Sequence, residues 1–196
     1  GKIFGSNSDG PGFLRAIREA FAIDAHDLRI MILGAGGGAG RAVTMQCALE
    51  TPERLVLANR TREKAELLRA EVAPLLEDEL IHAASSRLQV ADWSNDGLEA
   101  ELGNVDLIVN ATSLGMKRSD PDLIPAHLLQ PHHLVYDMVY SPQRTKLLSD
   151  AQNAGARTAN GLSMLLHQGA ISFETWFNRE APLEIMRRSL EDASTS

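Results

Sequence analysis

Arg29-Ile-Met-Ile-Leu-Gly-Ala-Gly-Gly-Gly-Ala-Gly-Arg41 is the stretch that decides the fold of this 196-residue chain. A short apolar run, Ile30 to Leu33, meets five glycines, and a helix-compatible segment follows from Arg41 to Leu49. Glycines at such a junction let the backbone turn sharply and approach a pyrophosphate, while the next helix directs its free N–H groups and positive dipole end at that anion. The same residues could make a plain glycine-rich turn. Strand, glycines and helix nevertheless come in the order that a phosphate-binding βαβ unit requires. The stretch therefore predicts a dinucleotide site in which Gly34, Gly36, Gly37, Gly38 and Ala39 face the cofactor, Ala39 being the third small position.

The next strand-like run, Arg54-Leu-Val-Leu-Ala58, ends at Asn59-Arg60-Thr61-Arg62-Glu63-Lys64. In NAD sites the second strand tends to end in an Asp or Glu that accepts from the ribose 2′-OH, roughly 20 residues past the glycines. Asn59 lies 19 positions after Gly40 and is neutral, and three cations follow it within five residues. A carboxylate there would repel a 2′-phosphate, whereas a guanidinium can grip it with paired, charge-assisted bonds. Cations are disfavoured at a helix N-terminus unless an anion sits there, which argues against a merely solvated first turn. The reading is NADP, with Asn59, Arg60, Thr61 and Lys64 around the 2′-phosphate.

Composition sets the frame. Apolar residues make up 44% of the chain, enough for a real core, and the net charge of −7 argues against a nucleic-acid surface. No apolar run approaches the ~18 residues needed to cross a bilayer, and no signal-peptide pattern opens the sequence. The single cysteine, Cys47, reads as packing and forbids an internal disulfide, which suits a reducing cytoplasm. The six histidines show no i, i+4 ligand pair, so no metal site is expected.

Strand and helix patterns alternate almost throughout. Strands are expected near 29–33, 54–58, 87–91, 105–110, 133–139 and 156–158, and helices near 11–22, 40–50, 62–78, 144–154, 161–178 and 182–192. Continuous apolar runs such as Val105-Asp-Leu-Ile-Val-Asn110 and His133-Leu-Val-Tyr-Asp-Met-Val139 imply burial on both faces. The fold class is thus α/β, a doubly wound, mostly parallel sheet with flanking helices at both ends. Its domain reading is a hinge segment and helix over 1–24, a Rossmann-like domain over 25–180, and a terminal helix with a frayed tail over 181–196. Residues 1–10 read as a strand running into a turn, with Asp9 or Gly10 capping a helix that has Pro11 at its first position. That opening, without an initiator Met, suggests a fragment or an excised domain.

Six spaced segments resemble shikimate dehydrogenase, specifically its NADP-binding domain with the preceding hinge. They are Asn7-Ser-Asp-Gly10 with Gly12-Phe13, Gly34-Ala-Gly-Gly37, Asn59-Arg-Thr61, Asn110-Ala-Thr-Ser-Leu-Gly-Met116, Tyr136-Asp-Met-Val-Tyr-Ser-Pro142 with Thr145, and Asn160-Gly-Leu-Ser-Met164 with Gln168. The resemblance implies NADPH-dependent reduction of 3-dehydroshikimate to shikimate, on the route to aromatic amino acids. Asp9 would be the aspartate of a catalytic Lys–Asp pair, although local sequence equally allows a helix cap in an Asx-type turn. Asn7, Tyr140 and Gln168 would hydrogen-bond the substrate. Asn110, Thr112 and Ser113 would border the cofactor, and Met138, Gly161 and Met164 would shape the nicotinamide pocket, though Met164 could equally be core.

Two features depart from the family pattern. The glycine run is one residue longer before Arg41, and the N-terminal substrate domain that carries the catalytic lysine and a Ser-x-Ser pair is missing. Ser6-Asn7-Ser8 is not that pair. The implied partners are a small-molecule substrate (shikimate or 3-dehydroshikimate) and the missing domain, with no nucleic acid and no membrane; a homodimer is open. Alternatives are an NADP-sensing paralogue without catalysis and a quinate-type dehydrogenase.

Overall fold

The computed structural model describes residues 5–76 and 87–195. In chain order these form α1 (Asp9–Phe21), β1 (Arg29–Leu33), α2 (Gly38–Leu49), β2 (Arg54–Ala58), α3 (Arg62–Leu76), β3 (Leu88–Ala91), α4 (Asn95–Leu102), β4 (Leu107–Asn110), β5 (Leu134–Asp137), α5 (Lys146–Asn153), β6 (Arg157–Asn160), α6 (Leu162–Phe177) and α7 (Leu183–Thr195). The strands pair in the order β3-β2-β1-β4-β5-β6, every pair parallel. This is the doubly wound α/β sheet expected from the apolar runs, with the strand carrying Leu33 at its centre.

Alternation along each strand divides the core into two layers. Ile30, Ile32, Leu55, Leu57, Leu107 and Val109 pack with Phe13, Val43, Cys47, Leu68 and Met164. Met31, Leu33, Val56, Ile108 and Val135 pack with Leu98, Leu102, Leu147 and Ala151. The central run Ile30 to Leu33 has no solvent exposure at all, so its residues are satisfied only between two helical layers. Burial also pushes the Cys47 thiol up to about 12, which fits packing and not reactivity. At the amino ends of β1 and β4, the Arg29 guanidinium donates to both carboxylate oxygens of Asp106, at 2.6 and 2.9 Å. That pairing holds the Asp106 carboxyl below its ordinary range and keeps a structural anchor far from the opposite edge.

The opposite edge is where an open α/β sheet of this order presents a crevice. β1 lies between β2 and β4, so the connections leaving β1 and β4 diverge and open a crevice at their carboxyl ends. Several boundaries differ from the sequence reading. α1 starts at Asp9 and α2 at Gly38, each two residues early. Asn95–Leu102 is a helix that the sequence did not reveal, since Asn95 and Gly97 disguise it. Its N-cap Ser94 accepts from Gly97 N at 3.1 Å. α7 continues to Thr195 where a frayed tail was expected, because Gln143 Nε2 donates to Ser194 Oγ at 2.8 Å and ties the last turn down. Residues 5–8 are irregular and not a strand; residues 1–4 of that expected strand, and 77–78 of the expected third helix, lie outside the described residues. Among the described residues no helix is long and apolar enough to cross a membrane.

Candidate functional site: the crevice at the carboxyl edge

The glycine loop owes its shape to what surrounds it. Gly34 has φ +82°, and a Cβ there would come within 2.6 Å of Thr112 Cγ2, so the turn after β1 requires glycine. Gly37 is the N-cap of α2 and offers no side-chain cap. Nothing lies within 4 Å of the place where a Cβ on Gly38 would sit. The first N–H groups of α2 therefore open onto the crevice with their hydrogen bonds unmade, an anion-accepting arrangement. The position needing no side chain for helix–strand packing is Gly40, not Ala39. A Cβ on Gly40 would overlap the Gly34 carbonyl oxygen and lie 2.9 Å from Ala35 Cα. Ala39 is exposed instead and lines the crevice. The extra residue is thus taken up before Gly40, and Arg41 turns away to pair with Glu71 of α3.

Asn59 ties this loop to the end of β2. It accepts from Gly36 N at 3.2 Å and donates from Nδ2 to the Thr61 carbonyl at 2.8 Å. Arg60, Thr61 and Lys64 line a cavity of about 330 Å³ with Gly34, Gly36 and Gly37. The three cations of this segment do not play the same part. Arg62 is engaged by Asp92 and Glu66, whereas Arg60 and Lys64 carry no ion pair among the described residues. Two positive side chains thus stand at the start of α3 without a counter-charge. A dinucleotide bearing an extra phosphate fits this set of donors, glycines and cations.

A second cavity, about 430 Å³, continues the crevice past Gly38 and Ala39 to Thr112, Ser113, Met138 and Tyr140. Asn110 does not reach it. Fully buried, it donates to Asp137 Oδ1 at 2.8 Å and to the Leu114 carbonyl at 3.1 Å, and it accepts from Thr112 N and Oγ1. Asn110 therefore positions Thr112, which lines the crevice, and does not itself line it. Asp137, equally buried, also accepts from Val139 N at 3.0 Å and from Thr145 Oγ1 at 2.6 Å. Burial raises the Asp137 carboxyl above its ordinary value despite those donors. The Asn110–Asp137–Thr145 group, which the sequence reading missed, fastens the loops after β4 and β5 together.

Gly161 and Met164 sit behind Met138 and not on the cavity wall. Met164 is 5% exposed and belongs to the core, with Met138 packed against that cluster. A Cβ on Gly161 would overlap the Met138 carbonyl oxygen. Gly161→Ala should therefore push α6 away from the β5 loop at a cost of about 1–3 kcal/mol, the usual range for overpacking. An unchanged denaturation midpoint would show that the junction yields freely.

At the other end of the crevice, α1 and α6 meet. A Cβ on Gly12 would lie 3.0 Å from Gln168 N, and Ser172 Oγ is 3.4 Å from Ser8 Oγ. The segment holding Asp9 thus lies against the part of α6 that carries Gln168. Asp9 does not cap the helix as one reading allowed. Asn7 Oδ1 accepts from Asp9 N at 2.8 Å, which leaves the Asp9 carboxylate without a partner among the described residues. Pro11 is the third helical residue and not the first. Asn7 lines a small cavity with Gly38, and Gly38 also borders the cavity that holds Tyr140, so Asn7 and Tyr140 flank one glycine. Asp9 and Gln168 border neither cavity.

A larger concavity, about 560 Å³, lies elsewhere, between residues 114–124 and the start of α5. One glycine, Gly115, borders it, and the helix start beside it is closed by Thr145 Oγ1, which accepts from Leu148 N. Its lining includes Lys117, Arg118, Arg144 and Lys146, of which only Lys146 is in an ion pair among the described residues.

Comparison with known proteins agrees with this geometry. The family model described as the Shikimate 5'-dehydrogenase C-terminal domain matches residues 161–191. A shikimate dehydrogenase (NADP(+)) of Methanopyrus kandleri is 41% identical over 192 residues, covering 97% of this chain and 63% of the relative. A shikimate dehydrogenase solved with NADP+ superimposes with TM-score 0.83 at 35% identity, covering 98% of this chain and 63% of the other. The quinate dehydrogenase of Corynebacterium glutamicum, solved with NAD, gives 0.82 at 27% identity over 96% of this chain and 63% of its own. The chain thus spans somewhat under two thirds of the length of the curated relatives it matches. Over nearly all of its length the chain is thus similar to the part of shikimate dehydrogenases that these matches span, in sequence and in fold.

Proposed function

We propose that this chain is the NADP-binding part of an enzyme that reduces 3-dehydroshikimate to shikimate. The observation that carries the reading is the pair Arg60 and Lys64, uncompensated at the end of β2 beside a glycine loop with open N–H groups. Gly34 to Gly38 would take the pyrophosphate, Arg60, Thr61 and Lys64 the 2′-phosphate, and Thr112, Ser113 and Met138 the nicotinamide half. When bound, the nicotinamide supplies the hydride that reaches the ketone carbon. The chain's own residues do the rest: Tyr140 and Gln168 orient the substrate through a phenol and an amide, which bind hydroxyls and a carboxylate without adding charge. Asp9 shares the proton on the reacting oxygen with the lysine that the family carries outside this span. Met116 and Met138 border the cavity and help to exclude water. Without the remaining substrate contacts the 196 residues alone should bind cofactor and turn over little or nothing, because hydride transfer needs both reactants in near-attack geometry.

Arg60→Ala tests the cofactor assignment. A charge-assisted hydrogen bond contributes roughly 1.5–3 kcal/mol net, and each ~1.4 kcal/mol is tenfold in affinity. NADPH affinity should therefore drop about tenfold or more, with NADH affinity nearly unchanged, and the loss should shrink in high salt because these groups are exposed. Equal weakening of both cofactors would mean that Arg60 serves adenine or stability, and would remove the basis for NADP.

A second reading, a quinate-type dehydrogenase, is favoured by the likeness to the Corynebacterium glutamicum enzyme. Comparing quinate and shikimate oxidation by the full-length protein separates the two.

A further inference from the structure

We propose that Trp93 is the platform on which the adenine base of the cofactor rests, an inference that depends on the NADP reading above. The cavity beyond β2 has two unlike walls. Arg60, Thr61 and Lys64 line one, and Trp93 and Leu114 line the other. Trp93 and Leu114 are both partly buried and pack against the core layer beneath the sheet, so their outward surfaces form a fixed apolar face. A nucleoside with a phosphate on its ribose has the same polarity: a dianion at one end and a flat aromatic base at the other. The cations take the first, which directs the second to the indole.

The backbone offering that indole is held on both sides. Asp92 is paired with Arg62, and Gly97 packs so closely against it that a Cβ would lie 2.6 Å from the Asp92 carbonyl oxygen. Ser94 on the other flank is the N-cap of α4. Trp93 itself makes no side-chain hydrogen bond among the described residues. A large aromatic, rigidly presented at the lip of a cavity with its ring edge unengaged, is suited to stacking, which contributes about 1–3 kcal/mol per base and tolerates different base identities.

The chain has two tryptophans, Trp93 and Trp176, and Trp176 is 76% exposed near the end of α6. In Trp176→Phe the remaining emission belongs to Trp93. Titration with adenosine 2′,5′-bisphosphate, which lacks nicotinamide, should quench it saturably. Trp93→Leu should weaken that ligand and NADPH by the same factor, about tenfold, and Trp93→Phe should retain most of the affinity. Binding of the bisphosphate followed by calorimetry, with Trp93 emission unmoved and Trp93→Leu affinity unchanged, would overturn the platform while leaving the cofactor reading intact. No calorimetric binding of either ligand to the unsubstituted chain would overturn both.

Discussion

Asp9→Asn in the full-length protein should lower kcat by ~10²–10⁴-fold, the range for losing one positioned acid–base group, with NADPH affinity and melting temperature little changed. The geometry makes this substitution unusually clean. The Asp9 side chain makes no capping bond, and its backbone N–H donates to Asn7 Oδ1 at 2.8 Å. The Asp9 carboxylate has no partner among the described residues, and its segment packs through Gly12 against α6 at Gln168. Asparagine keeps the shape and the backbone bond but can neither accept nor return a proton. Steady-state kinetics with 3-dehydroshikimate and NADPH, alongside thermal unfolding, read the two effects separately. An unchanged kcat would leave Asp9 only the favourable charge at a helix N-terminus, about 0.3–1 kcal/mol.

What could be read from the sequence follows from which interactions are local. The sheet was legible because Ile30 to Leu33 and Leu107 to Val109 are apolar on both faces, and only a double-layered parallel strand buries such a run. The glycines and Asn59-Arg60-Thr61 were legible as a group because each run is contiguous in sequence, and the structure gathers them around one cavity. Gly40 was misjudged because its role is set by the carbonyl of Gly34 across the turn, a contact the glycine spacing does not reveal. For Met164 the sequence left pocket and core both open, and the way α6 meets β5 puts it behind Met138 in the core. Asn110 was assigned to the cofactor because it ends a strand at the ligand edge, yet its amide is consumed by Asp137 and Leu114. Trp93 lies two residues past the end of β3, at the same edge of the sheet. It was passed over because charge, and not shape, marked the opposite wall of that cavity in the sequence. Arg62 shows the reverse: sequence grouped it with Arg60 and Lys64, and only the fold pairs it with Asp92.

Asp137→Ala should be the most destabilising of these substitutions. It removes the acceptor shared by the Asn110 amide and Val139 N, and the separate oxygen that takes the Thr145 hydroxyl. Each orphaned buried group costs about 1–3 kcal/mol, so a loss of about 3 kcal/mol or more is expected. At roughly 2–4 °C per kcal/mol for a domain of this size, the melting temperature should fall by about 6–12 °C. Asp137→Asn should cost far less, because its carbonyl can still accept from Asn110 and Val139 while its amide donates to Thr145 Oγ. The pair also separates hydrogen bonding from charge. Burial raises the Asp137 carboxyl in the folded state above its ordinary 3.8, so the native protein holds that proton longer than the unfolded chain. This group's contribution then falls as pH climbs from 3.8 through the raised value and is flat above it. Denaturant unfolding at pH 4 and pH 7 should show that downward component in the unsubstituted protein and not in Asp137→Asn. Equal slopes in both would mean that the charge is not what burial penalises here. Because the same side chain joins the loop of Thr112 to that of Met138, the alanine variant should also lose NADPH affinity while it remains folded. Retained affinity in a folded Asp137→Ala would show that the two walls of the crevice keep their places without the clamp.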